Sequence, residues 1–522
     1  MARTRLTAVA CASLALAFLL PCLGASEEAP KAADDKPDAD VPAKAPPKEE
    51  SSVTQHSLSV GGQVFKYTAT AGTLLLKDEN DEPVASVFYV AYTRDDAPRP
   101  RPLAFLYNGG PGSSSIWLHM GAFGPRRVVT EDAQSSPPPP YRLVDNAYTL
   151  LDKADLVFID PVGTGFSRAV GKAKDKDYWG VDQDVHSIGK FIVAYANRNH
   201  RWNSPKYLIG ESYGTFRSAA LVNYLQSKKG MYFNGVVLIS SVLDMGTIEF
   251  APGDDRPYVN YLPSFAATAW YHRMLKDRPA NLAAFLAGAR RFAAGEYAAA
   301  LALGSNISDF DKAAIARKLS AFTGLGEDYL EKADLRVNYA QFVQELERGS
   351  GKVLGQYDAR FSGYALDRLA EFAAYDPQST AITGAFTAAF NSYVRDELNF
   401  GSEREYNAEN DDATNAWDWK QAGNDAQGLD AFVVNVEPDL ASALNENPHL
   451  RVEVENGLYD LVTPFFSTEQ TMSHLLLPPS IQAHVAMKYY EAGHMMYLHE
   501  ASLAELRGNI GKFIESTASA GK

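Results

Sequence analysis

Cysteine is nearly absent: the 522 residues hold two, Cys11 and Cys22, both within the first 25. If that segment is removed no thiol remains. Disulfide staples, cysteine nucleophiles and thiolate metal sites are then excluded, and core burial alone must hold the fold. Positive charge is also short. A formal net charge of −15 disfavours nucleic acid as a partner, since phosphates need Lys and Arg to neutralise them. A long membrane span is lacking too. The apolar run Ala8–Leu20 is too short for a comfortable crossing. It follows Arg3 and Arg5 and precedes the small residues Gly24 and Ala25, so residues 1–25 are predicted to be a cleaved export signal, leaving the chain periplasmic or extracellular without a stable membrane span. Cys22 offers a site for lipid attachment there, which Pro21 disfavours. Residues 26–55, rich in Ala, Pro and charge and poor in large apolar side chains, read as a disordered linker.

From residue 56 the pattern changes. Gln63–Ala69 and Ser86–Tyr92 alternate apolar and polar residues, with a further strand at Leu74–Leu76 and a turn at Asp78–Pro83. Solidly apolar runs follow at Leu103–Tyr107, Asp155–Ile159, Lys206–Ile209, Gly235–Ile239, Arg451–Val454 and His484–Met487. Such runs are buried on both faces, as in a parallel sheet. Helical patterns at Val185–Asn197 and Phe216–Gln226 lie between them. Strand, helix, strand predicts an α/β fold: a central, mostly parallel sheet flanked by helices. Residues 243–430 break the rhythm with helical stretches at Ala280–Ala300, Asp311–Leu319, Tyr339–Glu347 and Tyr364–Ala374. They are predicted to form a helical cap inserted between two core segments, 56–242 and 431–522.

The main chemical signal is Gly210-Glu211-Ser212-Tyr213-Gly214, placed after a strand and before a helix. That is the context of a nucleophile elbow, a sharp turn that thrusts the serine hydroxyl into a site. A serine needs a base, and the base an orienting acid. Asp460 and His494 each follow a late strand, in the order Ser, Asp, His expected of this architecture. Asp439, His474, His484 and His499 are competitors in weaker positions. The loop Asn108-Gly-Gly-Pro-Gly-Ser-Ser-Ser115 follows another strand. Its glycines free backbone N–H groups, which nominates Gly110 and Tyr213 as oxyanion donors. The loop lacks a Gly-Lys-Ser/Thr ending, and no dinucleotide fingerprint is present. No metal or organic cofactor is expected.

These motifs, together with Asp160-Pro-Val-Gly-Thr-Gly-Phe-Ser167, Asn456-Gly-Leu-Tyr-Asp460 and Ala492-Gly-His494, resemble the serine carboxypeptidase family in sequence and order. The resemblance covers roughly residues 100–245 and 450–500. It implies an α/β-hydrolase fold and an exopeptidase acting on peptide or protein C-termini, with Ser212, Asp460 and His494 as catalytic triad. It also implies that Asn108 and Glu211 bind the substrate's terminal carboxylate, a carboxyl–carboxylate contact that requires a shared proton. Two positions depart from the family pattern: Ser113 replaces a disulfide-bonded Cys, and Ala122 replaces a second Glu of the carboxylate network. An esterase, acyltransferase or lyase on the same scaffold is the alternative, and a binding module that has lost catalysis a third reading.

Overall fold

The computed structural model describes residues 47–401, 403–421 and 434–518. The predicted export signal lies outside the described residues, as does the linker up to residue 46.

Three long antiparallel strands open the sheet: β1 (Ser51–Val60), β2 (Gln63–Lys77) and β3 (Pro83–Arg94). Gly61 and Gly62, both at positive φ (58° and 80°), make the two-residue turn between β1 and β2. Two boundaries differ from expectation. Leu74–Leu76 continues β2 rather than forming a strand of its own. The expected linker is ordered over Ser51–Gln55, which pairs in register with Thr68–Gly72. Backbone hydrogen bonds do not depend on side chain, so a polar stretch can pair once a partner strand is beside it.

The apolar runs form β4 (Leu103–Tyr107), β5 (Asp155–Ile159), β6 (Lys206–Glu211), β7 (Gly235–Ile239), β8 (Arg451–Gly457) and β9 (Val485–Tyr490). The order is β1-β2-β3-β5-β4-β6-β7-β8-β9, parallel from β5 to β9. Side chains alternate between two cores. Leu103, Phe105 and Tyr107 face α1 (Val181–Arg198), α2 (Tyr213–Lys229) and α8 (Glu437–Glu446), whereas Ala104 and Leu106 face α10 (Glu500–Ala518).

The insertion divides its allegiance. Helices α3 (Arg256–Tyr271), α4 (Leu282–Phe292), α5 (Asp309–Thr323) and α6 (Tyr339–Glu345) build a third core, which also takes in Leu458, Tyr459, Leu461 and Phe465 from the segment after β8 and from α9 (Phe465–His474). Helix α7 (Pro377–Ser392) instead buries Ile382, Phe386 and Phe390 in the core on the α10 side of the sheet. The predicted helix at Tyr364–Ala374 is absent. Carbonyls it would use internally are taken by side chains: Gln344 donates to Asp367 O (3.2 Å), and Arg348 to Arg368 O and Ala370 O. Asp367 in turn accepts Leu369 N (2.8 Å), closing a local turn.

Candidate active site

Ser212 stands between β6 and α2 at φ 59°, ψ −130°. A non-glycine residue there stores about 1–3 kcal/mol of strain. The neighbouring glycines make it feasible: a Cβ at Gly210 would overlap Gly214 O, and one at Gly214 would come 3.0 Å from Tyr107 O. Ser212 N is tied to Ile239 O at 3.0 Å. The half-buried serine lines a cavity of about 90 Å³ together with Asn108, Gly110, Glu211 and His494. Larger hollows of about 410 and 600 Å³ occur elsewhere, but neither is lined by Ser212 or His494.

The structure brings His494 to this cavity from the end of β9 and places buried Asp460 behind it, after the end of β8. His494 Nδ1 lies 2.8 Å from Asp460 Oδ2. The remaining capacity of the carboxylate is filled by Val462 N (2.8 Å), Thr463 N (2.9 Å) and Thr463 Oγ1 (2.8 Å). Such saturation keeps the carboxylate aimed at the ring and makes Nδ1 the protonated nitrogen. Burial disfavours charging His494. The charge and hydrogen bond of Asp460, aided by Glu211, outweigh it and hold the imidazole above its usual pKa. His494 Nε2 is buried without a partner among the described residues. That nitrogen is the acceptor a serine proton would need. The competitors are engaged elsewhere. Asp439 accepts from Asn223 and Gln421; His474 meets Gln470 O, His484 meets Arg451, and His499 meets Ser502.

The glycine-rich loop presses against the elbow. A Cβ on Gly109 would overlap Tyr213 N and come 2.8 Å from Glu211 O, so no larger residue fits. Gly110 has φ 100°, which also favours glycine. Sequence reading missed two braces of this loop. Fully buried Arg217, paired with Asp184 (2.6 Å), donates to Asn108 O (2.7 Å). Asp160 accepts Ser115 N (2.8 Å) and Ser115 Oγ (2.7 Å), so the Asp160–Ser167 motif holds the loop rather than lining the cavity.

Glu211 is buried beside Ser212. Its Oε1 accepts from Asn108 Nδ2 (3.0 Å) and Tyr497 OH (3.2 Å), while Oε2 has no partner among the described residues. Burial raises its pKa to about 7, against the lowering effects of His494, Tyr497 and Asn108. Asn108 is itself oriented by accepting Leu118 N at 3.0 Å. Ala122, where the family resemblance implies a second glutamate, is buried and does not line the cavity.

The insertion supplies another group that no local pattern announced. Gln356 O accepts Leu461 N (3.0 Å), Tyr357 O accepts His494 N (2.6 Å), and Ala359 N donates to Tyr459 O (3.0 Å). Buried Asp358 accepts Gly493 N (3.1 Å) and pairs with Arg360 (2.7 Å), which reaches Asp132 (3.0 Å). The Tyr357 ring meets His494 edge to face at 5.4 Å. Residues 356–360 thus hold the loops of Asp460 and His494 together.

A family model described as serine carboxypeptidase matches residues 63–507. Serine carboxypeptidase-like 33 of Arabidopsis thaliana is 28% identical over 218 residues, 41% of this chain and 41% of the relative. Pheromone-processing carboxypeptidase KEX1 of Saccharomyces cerevisiae is 33% identical over 122 residues, 23% of this chain and 16% of the relative. The chain therefore spans about two fifths or less of the length of these curated relatives. The crystal structure of the yeast prohormone-processing carboxypeptidase matches with a TM-score of 0.53 at 18% identity, covering 86% of this chain and 91% of that one, and shows a shared α/β-hydrolase fold.

Proposed function

The chain belongs to the serine carboxypeptidase family, and from that premise we propose that it releases C-terminal residues from peptides through an acyl-enzyme on Ser212. The observation that carries the reading is the position of Glu211. A buried carboxyl with a free Oε2 lines the same small cavity as Ser212 and the unpartnered Nε2 of His494. A neutral Glu211 can donate to a substrate carboxylate, and Asn108 keeps the group oriented.

In this mechanism His494 Nε2 takes the Ser212 proton as Oγ attacks the scissile carbonyl. Asp460 holds the ring and stabilises the imidazolium. Gly110 N–H and Tyr213 N–H hold the oxyanion, each worth about 3 kcal/mol of barrier. His494 then protonates the departing amine, and water, deprotonated by the same nitrogen, hydrolyses the ester. We further infer that the chain works outside the cytoplasm, supported by the export pattern of residues 1–25. An ester, acyl-transfer or lyase reaction is the second reading, favoured by Ala122.

The test is release of the C-terminal residue from a blocked dipeptide, beside labelling by a serine-directed fluorophosphonate. Ser212→Ala should abolish both and leave the circular dichroism unchanged. Substantial turnover by that variant would remove Ser212 from the chemistry. Ester hydrolysis without any release from free-acid peptides would favour the second reading.

A further inference from the structure

Tyr497 touches Glu211, yet the proposed chemistry gives it no task. It lies in a helical turn, Met496–Leu498, just after His494. Its buried ring fits against the backbone of Gly121, where a Cβ would come 2.6 Å from the ring. The hydroxyl donates to Glu211 Oε1 at 3.2 Å. Ala122, next to Gly121, has no side-chain donor to offer. Burial raises the Tyr497 pKa well above its usual value, as do the charge and hydrogen bond of Glu211, while a side-chain hydrogen bond with Asn108 opposes them. The phenol is therefore a donor throughout the working pH range.

The direction of the bonds around Glu211 is fixed from outside. Leu118 N–H can only donate, so the Asn108 atom it meets at 3.0 Å is Oδ1. Asn108 Nδ2 then faces Glu211 and donates to Oε1 at 3.0 Å. With the phenol, Oε1 accepts two hydrogen bonds, whereas Oε2 has no partner among the described residues. An oxygen that accepts two donors is the carbonyl oxygen of a neutral carboxyl. The acid proton is left on Oε2, the oxygen free to meet a ligand.

We propose that Tyr497 is a positioning residue for carboxylate recognition: with Asn108 it fixes Oε1 as the acceptor and so places the Glu211 proton on Oε2, ready for the substrate's terminal carboxylate. The assignment rests on the carboxypeptidase reading. Removing the phenol acts in two ways. Glu211 becomes freer to turn or to carry its proton on either oxygen, which weakens recognition. Its titration also moves. Burial and Asp460 raise the Glu211 pKa, while His494, Tyr497 and Asn108 lower it. Loss of the Tyr497 share alone leaves the carboxyl neutral to higher pH.

Values of kcat/KM are measured across pH for a blocked dipeptide with a free C-terminal carboxylate and for its amide, with the native protein and with Tyr497→Phe, which keeps the ring against Gly121. The ratio of the two substrates cancels what the triad contributes. In Tyr497→Phe the acid plateau of that ratio should fall about five- to tenfold, the scale of one buried hydrogen bond. Its midpoint should move above the native position, set by a Glu211 pKa of about 7. An infrared readout needs no turnover: the protonated-carboxyl band that Glu211→Gln deletes should move to higher frequency in Tyr497→Phe, because the C=O loses a donor. In the native protein that band should lie at the low-frequency end of the carboxyl range, and a band at the free end overturns the assignment by itself. A plateau and midpoint unaltered by Tyr497→Phe overturn the assignment while leaving the carboxypeptidase reading standing. A lowered plateau with midpoint and band unmoved reduces Tyr497 to packing and overturns it as well. No release from any free-acid peptide by the native protein overturns the underlying reading and this one with it.

Discussion

A glutamate can bind a carboxylate only while it carries a proton, and this makes Glu211 a measurable pH gauge. Burial raises its pKa to about 7. Nearly all molecules then hold the proton at pH 5, and about one in ten at pH 8. A substrate carboxylate stays ionised throughout that range. Raw rates also carry the titration of His494, which must be neutral to act as base. The ratio of kcat/KM for a free-acid dipeptide to that for its C-terminal amide cancels this shared contribution. The ratio should fall about tenfold from pH 5 to pH 8, approaching a slope of −1 above pH 7. Glu211→Gln supplies an amide N–H at every pH, so its ratio should be flat. A flat ratio in the native protein, or the same slope in the variant, would refute the argument that Glu211 recognises the carboxylate as a neutral acid.

Asp358→Asn keeps the side-chain shape but removes the charge facing Arg360 and weakens the acceptor for Gly493 N. Arg360 retains Asp132, so the loss should be near that of one charged hydrogen bond, about 1.5–3 kcal/mol. A loosened His494 should lower kcat about 10- to 100-fold with little change in KM; an unchanged kcat would reduce this cluster to a stability role. In β8, Glu453 and Glu455 lie two residues apart on one buried face, with Lys488 and Tyr490 of β9 beside them. Burial raises the pKa of Glu455, the charge of Glu453 raises it further, and Tyr490 and Lys488 oppose this. A carboxyl pKa raised in the folded state adds stability below the unfolded value of 4.5 and loses it as pH climbs through the folded value. The urea midpoint of Glu455→Gln should therefore fall less between pH 5 and pH 8 than that of the native chain, and equal falls would contradict the linkage.

The features legible in the sequence are those encoded by neighbours along the chain. Unbroken apolar runs marked β4 to β7, and glycines at 210 and 214 marked the turn that carries Ser212. What was illegible depends on partners far away. The Tyr364–Ala374 stretch has helical composition, but Gln344 and Arg348 take its carbonyls. The sequence pattern predicts neither α3 nor α7, although α7 supplies Gln378, Ser379, Ile382 and Thr383 to the cavity wall. Arg217 and Asp358 look like any charged residue in the sequence. Their importance lies in Asn108 O, 109 positions from Arg217, and in Gly493 N, 135 from Asp358.

The attachment of residues 356–360 to both the Asp460 and His494 loops bears on how such enzymes can be altered. A lid that rests on a site by surface contact can be exchanged for another as a module. Here the same polypeptide that walls the cavity is laced by backbone hydrogen bonds into the segments carrying acid and base. Trimming or transplanting it would disturb selectivity and proton transfer together. Change in substrate range along a lineage should therefore proceed by point substitutions on a retained insertion, at cavity-wall positions such as Ile382 and Thr383, rather than by wholesale exchange of that insertion.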